Sequence, residues 1–176
     1  MKHDSTQLNK PIVIIYGVSG SGKSTIGALV SDKLGIPFYD ADSFHPKENI
    51  EKMAAGNPLN DADRLPWLQA INLKMREVSG QTGGVFACSA LKEQYRTILK
   101  QQLATPIHWF LLNGSFELIQ KRMQERDHFM PPALLHSQFE ALEIPTYGTM
   151  IDIEKGRAEV VNEILVQIAN KKGDSC

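Results

Sequence analysis

One segment constrains the fold of this 176-residue chain more than any other, the sequence Gly-Val-Ser-Gly-Ser-Gly-Lys-Ser over residues 17–24. It matches the phosphate-binding pattern G-x-x-x-x-G-K-[ST], which a random chain of this length would contain roughly once in a hundred cases. A β-branched run at 11–16 precedes it, as in a strand buried on both faces, and apolar residues at helical spacing follow over 23–34. The sequence therefore predicts a strand, a glycine-rich loop and a helix in succession.

This loop has the residues needed to hold the phosphates of a nucleotide. Its glycines allow the backbone dihedrals that turn successive N–H groups toward one anion, and the following helix adds the positive end of its dipole. We expect Lys23 to reach the β- and γ-phosphates of ATP and to be catalytic, and the Ser24 hydroxyl to ligate Mg²⁺. The residues predicted to bind ATP here are Gly17, Val18, Ser19, Gly20, Ser21, Gly22, Lys23, Ser24 and Thr25.

The rest of the chain alternates between short apolar runs and longer helical patterns. The runs predicted as strands are residues 36–40, 84–89, 107–112 and 149–153. The segments predicted as helices are residues 65–78, 116–126, 133–142 and 158–169. Such alternation is typical of βαβ units and predicts an α/β fold with a parallel sheet. At ~150 residues per domain we expect a single domain over 1–176, with mobile polar ends at 1–10 and 171–176.

The amino-acid composition limits the kinds of partner that the chain is expected to bind. Lysine and arginine total 19 against 20 acidic residues, so no basic footprint for nucleic acid or an anionic membrane is present. Two cysteines are too few for a disulfide framework. No signal peptide and no run near the ~18 apolar residues of a membrane span is seen, so we expect a cytoplasmic protein.

Two carboxylates, Asp40 and Asp42, follow the second predicted strand. Residues two apart on a strand face the same side, here at the carboxyl edge where open α/β sheets bind ligands. Either could hold Mg²⁺ or accept a proton from an attacking hydroxyl. Because no aspartate ends the third strand at residues 86–89, the expectation for a metal ligand falls on Asp40. The alternative is that both residues only begin a turn and cap the next helix.

Several cationic residues are candidates for binding the substrate or ATP. Arg64 offers a bidentate fork for a substrate carboxylate, whereas Trp67 is expected in the core. Arg122 and Arg126 lie four apart on one helical face, as in a lid that covers ATP and stabilises charge on the transferring phosphoryl group. The alternative for these arginines is a surface helix with scattered cations.

Several further segments share a pattern with one known family. They are residues 17–25, 40–46, 49–53, 56–68, 87–92, 95–96, 128–130 and 137–140. Together they resemble gluconokinases, small-metabolite kinases with a P-loop NTPase fold of the nucleoside-monophosphate-kinase-like type. The resemblance covers residues from about 12 to 145, and its middle segments are far more specific than the phosphate loop.

The resemblance implies transfer of the ATP γ-phosphoryl group to the 6-hydroxyl of D-gluconate, with Mg²⁺, in the cytoplasm and as a homodimer. It also implies a five-stranded parallel sheet in the order 2-3-1-4-5, with helices on both faces and a lid over about 122–142. One departure is Asp127, which stands where glycine, the more permissive hinge, would be usual.

By the same resemblance Asp42 orients or deprotonates the acceptor hydroxyl and is catalytic. Arg122 and Arg126 are implied to be lid arginines, one beside adenine and one on the phosphates, with Arg126 catalytic. The candidates for binding the polyol and carboxylate of the substrate are Asp42, His45, Arg64, Lys92 and Arg96.

Other readings of the phosphate loop stay open. Shikimate kinase shares the loop, an Asp-x-Asp after the second strand and an acidic substrate, but its glycine triplet after the third strand is replaced here by Cys-Ser-Ala-Leu-Lys at 88–92. Nucleotide kinases are a second alternative. A GTPase-like switch is disfavoured, because the nearest match to Asn-Lys-x-Asp, at 170–174, has one residue too many.

Overall fold

The computed structural model describes residues 10–126 and 131–171, and strands and helices alternate along them. Asp127 and nearly all of the ends expected to be mobile, residues 1–9 and 172–176, lie outside the described residues. The strands are β1 Ile12–Tyr16, β2 Phe38–Asp40, β3 Gly84–Cys88, β4 Ile107–Asn113 and β5 Thr149–Asp152. The helices are α1 Lys23–Leu34, α2 Lys47–Ala54, α3 Asp61–Val78, α4 Glu93–Leu99, α5 Phe116–Gln124, α6 Pro132–Ala141 and α7 Arg157–Lys171.

The strands form one sheet in the order β2-β3-β1-β4-β5, and every pairing is parallel. The expected order 2-3-1-4-5 is confirmed. β1 is central, with Ile12 opposite Gly84 on one side and Ile107 on the other. All five of its residues are buried, since a parallel strand in mid-sheet is covered by helices on both faces.

Alternate residues of β1 belong to two separate apolar cores. Val13 and Ile15 pack with residues of α1, α5, α6 and α7, whereas Ile12 and Ile14 pack with α3 and α4. The alternation follows from the two-residue period of a strand. Because the sheet is closed on both faces, its carboxyl edge is the side left for a ligand. None of the helices within the described ranges combines the length and apolarity needed to cross a bilayer.

Several helices differ from the expectation. Helix α3 begins at Asp61, four residues before the predicted start, because Asn60 and Asp63 form a capping box ahead of the apolar stripe. Helices α2 and α4 were not predicted, since eight and seven residues are too few for a clear apolar period. Helix α5 ends at Gln124 and not at 126.

The contact between α3 and the end of α4 yields a stability prediction. Buried Asn72 donates from Nδ2 to the carbonyl oxygens of Leu99 at 2.7 Å and Gln101 at 2.9 Å. Asn72→Leu should lower the free energy of unfolding by about 2–4 kcal/mol, because two carbonyls lose their donor. Urea denaturation measures this change. The exposed neighbour Leu73 is the control, with Leu73→Ser expected within ~0.5 kcal/mol of the original protein. An Asn72→Leu variant as stable as the control would contradict this account.

Candidate active site

The phosphate loop connects β1 to α1 at the carboxyl edge of the sheet, and its shape depends on glycine. Gly17, Gly20 and Gly22 have φ values of 148°, 78° and 96°, in the region that favours glycine. A Cβ on Gly20 would also lie 2.5 Å from Cγ of Met123. The glycines therefore permit a backbone turn that other residues could adopt only with strain.

Two polar side chains at this loop, Lys23 and Ser21, differ in their hydrogen bonding. Nζ of Lys23 donates to the carbonyl oxygen of Val18 at 2.9 Å. Removal from water lowers the pKa of Lys23, and the nearby Asp42 carboxylate opposes that shift. Oγ of Ser21 is buried and finds no hydrogen-bond partner within residues 10–126 and 131–171. A bound phosphate would give the Lys23 ammonium an anionic acceptor in addition to the Val18 carbonyl.

Asp40 faces the start of α1. Oγ of Ser24 donates to Oδ2 of Asp40 at 2.7 Å, and Oδ1 of Asp40 accepts from the backbone N–H of Asp42 at 3.0 Å. Asp40 therefore does cap the 3-10 turn Ala41–Phe44, as the alternative reading held, and it also places its second oxygen beside the loop hydroxyl. Two neighbouring oxygen ligands suit Mg²⁺, which takes its remaining ligands from phosphates and water.

A cleft of about 640 Å³ opens above these residues. The predicted residues that line it are Ser19, Gly20, Gly22, Lys23, Ser24, Thr25, Asp40, Asp42, His45, Arg122 and Arg126. Lining residues that the sequence analysis did not single out include Met53, Cys88, Ser89 and Met123. The phosphate loop, Asp40, Asp42, Arg122 and Arg126 thus line the same cleft.

A second cavity of about 360 Å³ also adjoins the start of α1. Ser21 and Thr25 line it together with the β5–α7 loop, residues 153–156. Nη2 of Arg122 donates to the carbonyl oxygen of Ile153 in this loop at 2.6 Å. The sequence analysis missed this loop because it carries no motif. Its only signal is its position after the last predicted strand, at the edge where the other candidates lie.

His45 and Trp67 form one wall of the cleft. Their rings stack with centroids 4.4 Å apart, and the Trp67 indole N–H donates to the carbonyl oxygen of Ala41 at 2.7 Å. Trp67 is buried, so the expectation that it lies in the core is confirmed. Burial lowers the pKa of His45; the nearby Asp42 carboxylate opposes that shift, and Arg64 adds a smaller effect in the lowering direction.

Arg64 and Lys92 lie beside Tyr95 and do not appear among the residues lining the cleft. A guanidinium N–H of Arg64 donates to the carbonyl oxygen of Leu59. Nζ of Lys92 is 3.1 Å from Oδ1 of Asp61, in a partly exposed ion pair. These two cations form a group next to the acceptor side, and their binding of a substrate stays a prediction.

Arg96, a candidate for binding the substrate, lies inside the protein. Its side chain is fully buried, and its guanidinium donates to the carbonyl oxygens of Ala90 at 2.7 Å, Leu91 at 3.1 Å and Glu143 at 2.7 Å. It also pairs with the Glu93 carboxylate at 3.0 Å. With its donors engaged inside the protein, Arg96 is a structural residue. It holds the β3–α4 loop, in which Ala90 has an unusual φ of 39°.

The family model described as shikimate kinase matches residues 19–169 of the chain. A probable gluconokinase of Dictyostelium discoideum is 44% identical over 177 aligned residues, which cover 93% of this chain and 88% of that protein. The thermosensitive gluconokinase of Escherichia coli (strain K12) is 50% identical over 135 residues, covering 75% of this chain and 71% of that protein.

The structural comparison agrees with the sequence comparison. The crystal structure of a gluconokinase from Sinorhizobium meliloti 1021 matches this fold with a TM-score of 0.86 and 38% sequence identity. The match covers 95% of this chain and 98% of that one. The similarity therefore includes the phosphate loop, the acceptor side and the later helices.

The buried position of Arg96 leads to a prediction about stability. Arg96→Lys should lower the free energy of unfolding by about 2–4 kcal/mol, because an ammonium cannot serve carbonyls on three sides as the planar guanidinium does. Chemical denaturation measures this loss. Lys100→Ala is the matched control: it removes an exposed cation 3.5 Å from the same Glu93 carboxylate and should cost under ~0.5 kcal/mol. Equal stability of the two variants would contradict a structural role for Arg96 and favour a role in binding a ligand.

Proposed function

The chain belongs to the gluconokinase family, within the shikimate kinase-like P-loop kinases, and we propose that it transfers the γ-phosphoryl group of ATP to the 6-hydroxyl of D-gluconate. The products are 6-phospho-D-gluconate and ADP. The observation that carries this proposal is the single cleft in which the phosphate loop faces Asp40 and Asp42. Phosphoryl transfer needs positioned charges more than covalent chemistry, and the cleft contains them.

ATP would lie across the start of α1. Its phosphates fit the loop at Lys23, whose ammonium now donates to the carbonyl oxygen of Val18. The adenine base fits the smaller cavity between Arg122 and the β5–α7 loop, residues 153–156. Arg126 lines both cavities and is placed to contact the phosphates between them.

Mg²⁺ would be held by Ser24 and Asp40. Their oxygens are 2.7 Å apart at the start of α1, and oxygen ligands are those that Mg²⁺ prefers. No group of three or more His, Cys, Asp and Glu side chains that could form a metal site occurs in the ranges that the structure describes. This fits an ion held partly by substrate phosphates. When bound, Mg²⁺ neutralises charge that develops on the phosphate oxygens.

The acceptor hydroxyl would lie between the γ-phosphate and Asp42. Both carboxylates line the cleft and lie near Lys23, but Asp40 accepts the hydrogen bond from Ser24, whereas Asp42 also lies near His45. The 6-hydroxyl oxygen bonds to the γ-phosphorus, the bond from that phosphorus to the β,γ-bridging oxygen breaks, and the hydroxyl proton passes to the Asp42 carboxylate. Lys23 and Arg126 stabilise the charge on the transferring group.

The wall made by His45 and Trp67 would bound the polyol chain of gluconate. The carboxylate of gluconate would lie toward Arg64 and Lys92, the cations beside Tyr95. Both have partly exposed side chains, in contrast to Arg96. A homodimer and a cytoplasmic location stay predictions from the resemblance.

The substrate assignment is tested by measuring ADP release with four acceptors: gluconate, shikimate, AMP and CMP. We expect turnover above the background of ATP hydrolysis with gluconate alone. Shikimate is the critical control, because the family model is described by that activity and its glycine triplet after the third strand is absent here. Turnover on one of the other three only, or equal background with all four, would contradict the proposal.

The two carboxylates have separable roles. Asp42→Asn should lower kcat by about 10²–10⁴-fold, as expected for loss of a general base, and leave ATP affinity within about threefold. Asp40→Asn, the matched control, should weaken binding of ATP in the presence of Mg²⁺. Steady-state kinetics and calorimetry measure both effects. If Asp42→Asn instead weakens ATP binding and Asp40→Asn spares it, the two assignments are reversed.

A further inference from the structure

Helix α6 contacts the phosphate loop through one amide side chain. Oε1 of Gln138 accepts from the backbone N–H of Ser19 at 2.7 Å, and Nε2 of Gln138 donates to Oγ of Ser19 at 3.1 Å. The two residues are 119 positions apart in sequence. A two-point contact of this kind fixes both the distance and the orientation of α6 relative to the loop.

Ser19 lies on the acceptor side of the phosphate loop. It lines the large cleft together with Asp40 and Asp42, whereas Ser21 lines the smaller cavity assigned to the base. In the proposed arrangement of ATP, the part of the loop at Ser19 is therefore nearest to the γ-phosphate. The group that holds Ser19 in place can thus influence the terminal phosphate more than the rest of the nucleotide.

The position of Gln138 is itself determined by anchors at other points of α6. Leu135 is buried in the core beside the sheet. Just past the end of the helix, the N–H of Glu143 donates to the carbonyl oxygen of Leu91 at 2.9 Å, and the Glu143 carboxylate accepts from the N–H of Glu93 at 2.7 Å. Helix α6 is therefore held on the acceptor side by the β3–α4 loop and on the nucleotide side by Gln138.

We propose that Gln138 is a positioning residue of the kinase reaction, which holds Ser19 in the conformation that contacts the γ-phosphate of the bound nucleotide. This inference rests on the proposed function, because it assumes that a nucleoside triphosphate occupies the loop. The contact is only partly buried, so its share in the stability of the fold is small. A displacement of about 1 Å at a reacting group can nevertheless cost about 10²-fold in rate.

The test compares Gln138→Ala with Ser137→Ala. Ser137 is the neighbour on α6, and its hydroxyl donates to the carbonyl oxygen of Leu134 within the helix, so its loss should leave kinetics unchanged. For Gln138→Ala we expect kcat to fall about 10–100-fold, with KM for gluconate within about threefold. The melting temperature should stay within about 3 °C of that of the control.

Binding of nucleotides provides a readout that a purely structural role would not change. By calorimetry, Gln138→Ala should weaken the affinity for an unreactive ATP analogue by about 5–20-fold and leave the affinity for ADP within about twofold, since only the γ-phosphate lies near Ser19. Gln138→Glu keeps the acceptor for the Ser19 N–H but adds a negative charge, so it should discriminate against the triphosphate more strongly than Gln138→Ala.

Equal loss of affinity for both nucleotides, unchanged kcat, or a fall in kcat matched by a large loss of thermal stability would overturn the proposal. These outcomes are distinct from failure of the proposed function. If the unsubstituted protein phosphorylates an acceptor other than gluconate, the gluconate assignment fails, and the comparison of analogue with ADP still decides the role of Gln138.

Discussion

The whole site depends on one constraint, a backbone turn after the central strand that leads directly into the start of a helix. Such a turn needs residues in the left-handed region, which Gly17, Gly20 and Gly22 provide. Because β1 is buried on both faces in mid-sheet, the turn has a fixed position, and the ends of the neighbouring strands lie around it. The charged residues proposed to bind ATP are therefore concentrated at this edge of the sheet, although the net charge of the chain is only -1.

The acceptor side has a different physical basis, because it depends on buried polar contacts. Arg96 supplies donors to the β3–α4 loop and to the carbonyl oxygen of Glu143, just past α6. The same loop accepts from the N–H of Glu143 through the carbonyl oxygen of Leu91. The β3–α4 loop and the helix that contacts the phosphate loop are thus parts of one hydrogen-bonded structure. Loss of a residue far from the chemistry can therefore change the relative position of the two substrates.

Much of the fold could be predicted because the strands are apolar runs and the phosphate loop fixes one connection. The proximity of Asp40 to Ser24 follows from the parallel sheet, since both lie at its carboxyl edge. Other features leave no local signal. The sequence around Arg96 is the same whether its guanidinium binds a substrate carboxylate or donates to buried backbone carbonyls. Helices α2 and α4 are too short to show a clear apolar period. The contact of Gln138 with Ser19 depends on tertiary packing.

The central claim is that Asp42 and the phosphate loop place an acceptor hydroxyl in line with the γ-phosphate. A crystal structure with D-gluconate and an unreactive ATP analogue tests it most directly. The account predicts the gluconate 6-hydroxyl within hydrogen-bond distance of an Asp42 oxygen and about 3–3.5 Å from the γ-phosphorus, opposite the bridging oxygen. A different hydroxyl facing that phosphorus, or gluconate bound away from Asp42, would contradict it.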